Sequence, residues 1–181
     1  MRCFISIDLP ADIKNEISKV QNEISKILDI KMKLVESENL HLTLKFLGEM
    51  DEVQVNQIKE ALKGLKFQTF EGTLNQIGIF PNPSFIRVIW IGFEPSTLVK
   101  EMHLRIDEEL SKLKIKKDGQ FESHLTLSRV KFVNDKEALI AKLKGIKVPK
   151  LSFKVENFVL KKSTLTGKGP IYEDVSKFEL K

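Results

Sequence analysis

The sequence predicts an α+β fold with largely antiparallel sheets. Three features carry that expectation. Strand-like segments are interspersed with amphipathic helices, turn signals between apolar runs mark hairpins, and one tetrapeptide recurs on a strand in each half of the chain.

Residues 2–9 read as a strand, and Pro10 then opens a long helix. Ile13, Ile17, Val20, Ile24 and Ile27 fall on one face of it at helical spacing. Residues 39–47 alternate cleanly as a strand. Asp51 resembles an N-cap for a helix running to about Leu65, with Val53, Val55, Ile58 and Leu62 turned inward. Two strand-like runs, 67–79 and 85–93, flank a turn at Pro81-Asn82-Pro83-Ser84. A third helix is expected over 96–114 with Leu98, Met102, Ile106, Leu110 and Leu113 buried. A strand at 123–132 and a short helix near 135–145 follow. From Lys150 onward two more strands are expected, separated by a turn at 167–170.

The 181 residues fit one domain, expected to span 1–181 as two similar lobes, and no linker or low-complexity tract divides them. The composition, 41% hydrophobic and 30% charged, excludes a disordered chain. A net charge of +5 suits a polyanionic partner without establishing one. The single cysteine, Cys3, excludes an internal disulfide and argues against a secreted, stapled fold. It lies in an apolar run without a neighbouring base and reads as a core residue. Residues 1–9 are too short for a signal segment, and no stretch approaches the roughly 20 apolar residues of a membrane span. A cytoplasmic protein is expected.

The repeated tetrapeptide is His41-Leu42-Thr43-Leu44 and His124-Leu125-Thr126-Leu127. Side chains alternate across a strand, so the leucines mark the core face and each His and Thr pair points away from it. One His-x-Thr alone would read as the polar side of a half-exposed strand. Two of the chain's three histidines in identical settings suggest instead two halves facing each other across a pseudo-two-fold axis. The four polar side chains would then converge on one pocket. Histidine exchanges protons near neutrality, so a facing pair supplies one base and one acid. Threonine hydroxyls can hydrogen-bond oxygens whose charge grows in a transition state. In-line displacement at phosphorus needs that set of groups.

A metal site is disfavoured, because no His-x-His, cysteine cluster or HExxH-type spacing is present. Asp8, Glu49 and Glu122 would join a ligand set only by accident of folding. No nucleophile elbow is present either. No cofactor is expected.

With their flanks, the two motifs, 41–48 and 123–129, resemble the two-histidine phosphoesterase superfamily. The likeness is closest to its RNA 2′,3′-cyclic phosphodiesterase branch, historically called 2′-5′ RNA ligases. It covers nearly the whole chain: the opening 2–10, Arg87-Val88-Ile89-Trp90, and the end, with Ser163, Leu165, Gly169, Pro170 and Tyr172, are similar to the family's. The resemblance implies a bilobal fold, each lobe an antiparallel sheet with helices outside, around a central cleft. It implies metal-independent hydrolysis of RNA 2′,3′-cyclic phosphate ends to 2′-phosphates, with a reverse ligating direction. His41 would protonate the departing 3′ oxygen, His124 would activate water, and Thr43 and Thr126 would hold phosphate oxygens. Phe46 and Arg129 would sandwich the terminal base. Simple alternation puts both opposite their histidines, so a bulge near each is required; otherwise Phe46 is a core residue. Expected partners are RNA ends such as tRNA halves, met by a monomer. Ser123 and Ser128 stand where many members carry proline and alanine.

Two other readings compete. One is a phosphodiesterase for a non-RNA cyclic phosphate of an ADP-ribose type. The other is an RNA-end-binding or ligating factor with little hydrolysis. Elsewhere, His103 reads as a surface or boundary residue beside the third helix's stripe, and Trp90 reads as core. Lys112, Lys114, Lys116, Lys117, Lys161 and Lys162 read as a solvated face that could touch RNA backbone. The 167–170 segment reads as a hairpin turn at the cleft rim, since it lacks P-loop spacing.

Overall fold

The computed structural model of the chain describes residues 1–167 and 169–181. Lys168, in the expected 167–170 turn, lies outside the described residues. The elements in chain order are β1 (Arg2–Asp8), α1 (Ala11–Ser25), β2 (Ile30–Leu34), a 3-10 turn (Ser37–Asn39), β3 (His41–Glu49) and α2 (Glu52–Lys63). They continue with β4 (Phe70–Asn82), β5 (Phe85–Glu94), α3 (Ser96–Ser111), β6 (His124–Val133), α4 (Lys136–Gly145), β7 (Leu151–Val155), β8 (Asn157–Leu165) and β9 (Pro170–Glu179).

All strand pairings are antiparallel, and the strand order is β7-β4-β5-β6-β3-β1-β8-β9 with β2 added to β6. The order is symmetric about its centre, four strands to each side, so the two halves anticipated from the repeat are both present. They are joined into one curled sheet at a single register pair, Leu42 with Leu125. That pair sets the repeated tetrapeptides side by side.

The helices form where their apolar periods predict. α1 buries Ile13, Ile17, Val20 and Ile24, each burial contributing roughly 1.5–3 kcal/mol. Ile27 falls beyond the helix end and is only partly buried. α2 begins with a capping box, in which Asp51 accepts from the Gln54 amide and the Gln54 side chain accepts from the Asp51 amide. Val53 is exposed, because the inward face of α2 runs through Val55, Ile58 and Leu62. In α3 the buried stripe starts at Val99 and leaves Leu98 exposed. Counting from Val99 places His103 inside, at 1% exposure, which corrects its reading as a surface residue.

β2 adds a strand to those expected, although Ile30-Lys31-Met32-Lys33-Leu34 alternates strictly. The tail holds three strands rather than two, with a break at Glu156 between β7 and β8. β4 also runs past Pro81 to Asn82, which shortens the turn before β5. Cys3 is a buried free thiol, as its apolar setting predicts. Among the described residues no helix is long and apolar enough to cross a membrane.

Buried polar side chains tie the halves together across the motif strands. His103 of α3 donates from Nδ1 to the carbonyl of Leu44 in β3, 2.8 Å away. At the matching place Gln21 of α1 donates from Nε2 to the carbonyl of Leu127 in β6, at 2.9 Å. Each half's first helix therefore holds the other half's motif strand at the last leucine of the tetrapeptide.

Candidate active site

The alternation that aims His41 and Thr43 away from the core breaks just after Leu44. The β1–β3 register slips between Ile5 and Ser6, so Leu44 and Lys45 both face the core. β6 breaks in the same place: Leu127 and Ser128 are both buried, and the β5–β6 register slips between Ile89 and Trp90. Such bulges reset the phase of a strand. They bring Phe46 to the side of His41 and Arg129 to the side of His124. Phe46 is 68% exposed, which excludes the core reading for it.

The buried Lys45 at the first bulge needs a partner, and it has two carboxylates. Its ammonium donates to Asp107 Oδ1 at 2.5 Å and to the Lys116 carbonyl at 2.9 Å, with Asp118 at 3.3 Å. This anchors the loop before β6 against β3. Phe121 of that loop stacks on His103, centroids 4.2 Å apart.

His41, Thr43, Phe46, His124, Thr126 and Arg129 all line one cleft of about 770 Å³ between the halves. The Leu42–Leu125 pairing directs His41 toward Thr126 and Thr43 toward His124, so the imidazoles lie diagonally across two strands. Beyond that one rung the two strands are not paired, and the cleft opens between them. Two rings lining one cleft suit groups that act on opposite sides of one phosphorus atom.

The two rings are held alike. His41 Nδ1 donates to the Asn39 carbonyl at 2.7 Å, and His124 Nδ1 donates to the Glu122 carbonyl at 2.8 Å. Since a carbonyl only accepts, both neutral rings carry their proton on Nδ1. Each Nε2 is left for chemistry. His41 Nε2 meanwhile accepts from the Thr43 hydroxyl at 3.0 Å. The supporting carbonyls are themselves fixed: Asn39 donates to the Pro170 carbonyl at 3.0 Å, and the buried Ser123 hydroxyl donates to the Phe93 carbonyl at 3.0 Å. Ser123 thereby supplies a fixed strand entry by hydrogen bonding.

Each imidazole has an aromatic wall. His41 packs on Phe4 (4.8 Å) and edge-on to Tyr172 (5.3 Å), and His124 packs edge-on to Phe80 (4.9 Å) with Trp90 at 6.1 Å. Trp90 pairs with Thr126 and lies over Gly78, where an added Cβ would sit 2.2 Å from its ring. It backs the cleft face near His124, which corrects its reading as a core residue. Phe4, Phe80 and Trp90 come from β1, β4 and β5, strands far from either motif in the sequence, so motif spacing gives no signal for them as site residues.

Burial is the leading influence on both histidines. It lowers the His41 pKa to about 4, against the Asn39 hydrogen bond and the nearby Asp8 carboxylate, which favour its proton. Burial also lowers His124, opposed by its bond to the Glu122 carbonyl. Tyr172 is raised by burial, moderated by Arg129 and Arg2.

Asp8 is engaged by Lys161 at 2.8 Å, and Lys161 also meets Asp174. Lys162 pairs with Glu173, Lys112 with Glu109, and Lys117 with Glu108. Among the described residues no group of three or more His, Cys, Asp or Glu side chains is placed to hold a metal ion.

Comparison with known proteins finds relatives along the whole chain. The sequence model of the family described as LigT like Phosphoesterase matches residues 7–90 and 93–172. The chain is 45% identical over 179 residues to the RNA 2′,3′-cyclic phosphodiesterase of Methanocaldococcus jannaschii, covering 98% of this chain and all of that one. It is 38% identical over 182 residues to the protein of the same name from Archaeoglobus fulgidus, covering 99% and 100%. Among solved structures, TT0787 of Thermus thermophilus superposes with a TM-score of 0.81 at 28% identity, covering 99% and 98% of the two chains.

Proposed function

The chain belongs to the LigT-like phosphoesterase family, and on that premise we propose that it hydrolyses 2′,3′-cyclic phosphate ends of RNA to 2′-phosphates through His41 and His124. The observation that carries this reading is the matched orientation of the two imidazoles. Each gives its Nδ1 proton to a carbonyl two residues upstream and offers Nε2 to the same cleft. The names of the relatives, RNA 2′,3′-cyclic phosphodiesterase, support the same substrate.

In the proposed reaction His124 Nε2 takes a proton from water as its oxygen attacks phosphorus. The bond from phosphorus to O3′ breaks, and His41 Nε2 gives a proton to that oxygen. A 2′-phosphate and a free 3′-hydroxyl result. Thr43 and Thr126 donate to the non-bridging oxygens, Thr43 turning from His41 to do so. Burial by itself keeps His41 neutral at pH 7. The negative charge of the bound phosphodiester favours its protonated form. No metal takes part in this scheme. With a 5′-hydroxyl in place of water the same transfers join two RNA ends by a 2′-5′ linkage.

Product analysis on an RNA ending in a 2′,3′-cyclic phosphate tests this reading. A 2′-phosphate product, formed equally in EDTA, is expected. A 3′-phosphate product would reverse the leaving oxygen, and loss of activity in EDTA would end the metal-free scheme. His41→Ala and His124→Ala should each reduce turnover by roughly 10²–10⁴.

A further inference from the structure

Beyond Arg129 the sheet leaves the cleft with its outer face uncovered. β2 runs beside β6 there, and the register pairs Lys33 with Arg129 and Lys31 with Phe132. Ile30, Met32 and Val133 pack toward the core, so Lys31, Lys33, Arg129 and Phe132 share the outer face. On the other side, β5 contributes Val88 opposite Arg129 and then Phe85, with the Arg87 guanidinium 4.4 Å over the Phe85 ring. Arg87 also reaches across to the Lys131 carbonyl at 3.3 Å.

Two features characterise this face. Phe85 and Phe132 are 52% and 60% exposed, large apolar rings left in solvent. Lys31, Arg87, Arg129 and Lys131 make no ion pair among the described residues, whereas lysines near the other edge, such as Lys161 and Lys162, are held by carboxylates. The matching face of the first half lines the cleft with Phe46, Tyr172, Ser163 and Leu165, and Arg2 is the cation beside them. The charge is therefore one-sided.

We propose that the outer face of β5, β6 and β2 beyond Arg129 is a track for the single-stranded RNA that precedes the cyclic phosphate. Unpaired cations suit the phosphates, and exposed rings at intervals suit unstacked bases whatever their sequence. From Arg129 to Phe132 the strand covers roughly 10 Å, with neighbours about 5 Å to each side, room for about two nucleotides. The track leads straight to Arg129, so the chain enters from the His124 side. This assignment rests on the RNA reading above and adds a second contact region to it.

The test uses Lys31→Gln/Arg87→Gln and, separately, Phe132→Ala, with two probes. The first is a fluorescent hexaribonucleotide ending in a 3′-phosphate, which cannot be turned over. The double variant should bind it about tenfold more weakly, and the slope of log affinity against log salt should fall by about 1.4, two phosphates' worth. Phe132→Ala should weaken binding about tenfold with the slope unchanged. The second probe is turnover: kcat/KM on a nucleoside 2′,3′-cyclic monophosphate should stay at wild-type level, while the cyclic-ended hexamer loses about tenfold. Wild-type affinity and salt slope in the double variant would overturn the track even if the enzyme cleaves cyclic ends. Weakened binding in the variants, with a wild type that cleaves no cyclic phosphate, would keep the track and overturn the proposed reaction.

Discussion

His103 Nδ1 lies 2.8 Å from the carbonyl oxygen of Leu44, at the residue where β3 bulges. Breaking this bond leaves a buried carbonyl short of a donor. His103→Phe should cost about 1–3 kcal/mol in urea unfolding. If the bond also sets the bulge, KM for a base-bearing cyclic nucleotide should rise more than kcat falls, because Phe46 is displaced and His41 is not. Gln should preserve more of the activity than Phe at this position.

The Lys45–Asp107 pair is almost fully buried. Removing one partner strands a charge, so Lys45→Met or Asp107→Asn alone should destabilise by about 3–5 kcal/mol. The double variant Lys45→Met/Asp107→Asn should recover part of that loss. Denaturant unfolding of the four proteins forms the cycle; strictly additive losses would show that the pair has no mutual interaction.

The pH dependence of turnover should be a bell with displaced limbs. Activity falls at low pH as His124 becomes protonated, and at high pH as His41 loses its proton. Both imidazoles are pushed below the ordinary range by burial, His41 to about 4. The kcat/KM profile, which reports the free enzyme, should therefore peak on the acid side of 6.5. A bound phosphate anion favours the protonated rings, so the kcat limbs should lie at higher pH than those of kcat/KM. Superimposed profiles would contradict this.

Stability carries the same signature. His41 titrates near 4 when folded and near 6.5 when unfolded, so between those values the unfolded chain binds more protons. Its contribution is complete above pH 6.5 and is lost as pH falls toward 4, by about 3 kcal/mol. His41→Gln should flatten that part of the stability curve. The difference between the two proteins, measured by urea unfolding from about pH 7 to about pH 4, isolates the effect from the carboxylates.

Ser128 stands at the second bulge with its hydroxyl buried and, among the described residues, without a hydrogen-bond partner. Ser128→Ala removes that cost and should raise stability by about 1 kcal/mol while leaving kcat unchanged. A destabilised variant would mean that the hydroxyl has a partner in solution.

The helices, the motif strands and the antiparallel class are legible in the sequence because each rests on a local period: Ile13 to Ile24 in α1, Asp51 with Gln54 at α2, and Leu42 and Leu125 on the core face. Legibility ends where the period changes. Lys45 and Ser128 look cleft-facing by alternation and are buried, which is why Phe46 and Arg129 reach the cleft side only through a bulge. Along α3, Met102, Ile106 and Leu110 are buried as their spacing predicts, but the buried face is wider than that stripe and takes in Val99, His103 and Asp107, while Leu98 stays outside. Trp90 lies between the buried Ile89 and Ile91, so alternation puts it on the opposite face from the core, and only its apolar character makes it read as a core residue. The aromatic walls of the two imidazoles depend on which strands become neighbours, and neither propensity nor spacing encodes that.

A single rung, Leu42 with Leu125, joins residues 83 positions apart, and the Gln21 clasp on Leu127 closes a separation of 106. A growing polypeptide thus carries His41 out of the ribosome long before its counterpart exists. The reactive pair is assembled by the slowest kind of contact, the long-range kind. On the proposed reaction, activity emerges only when the chain has closed on itself, and chains that end before His124 are born inert.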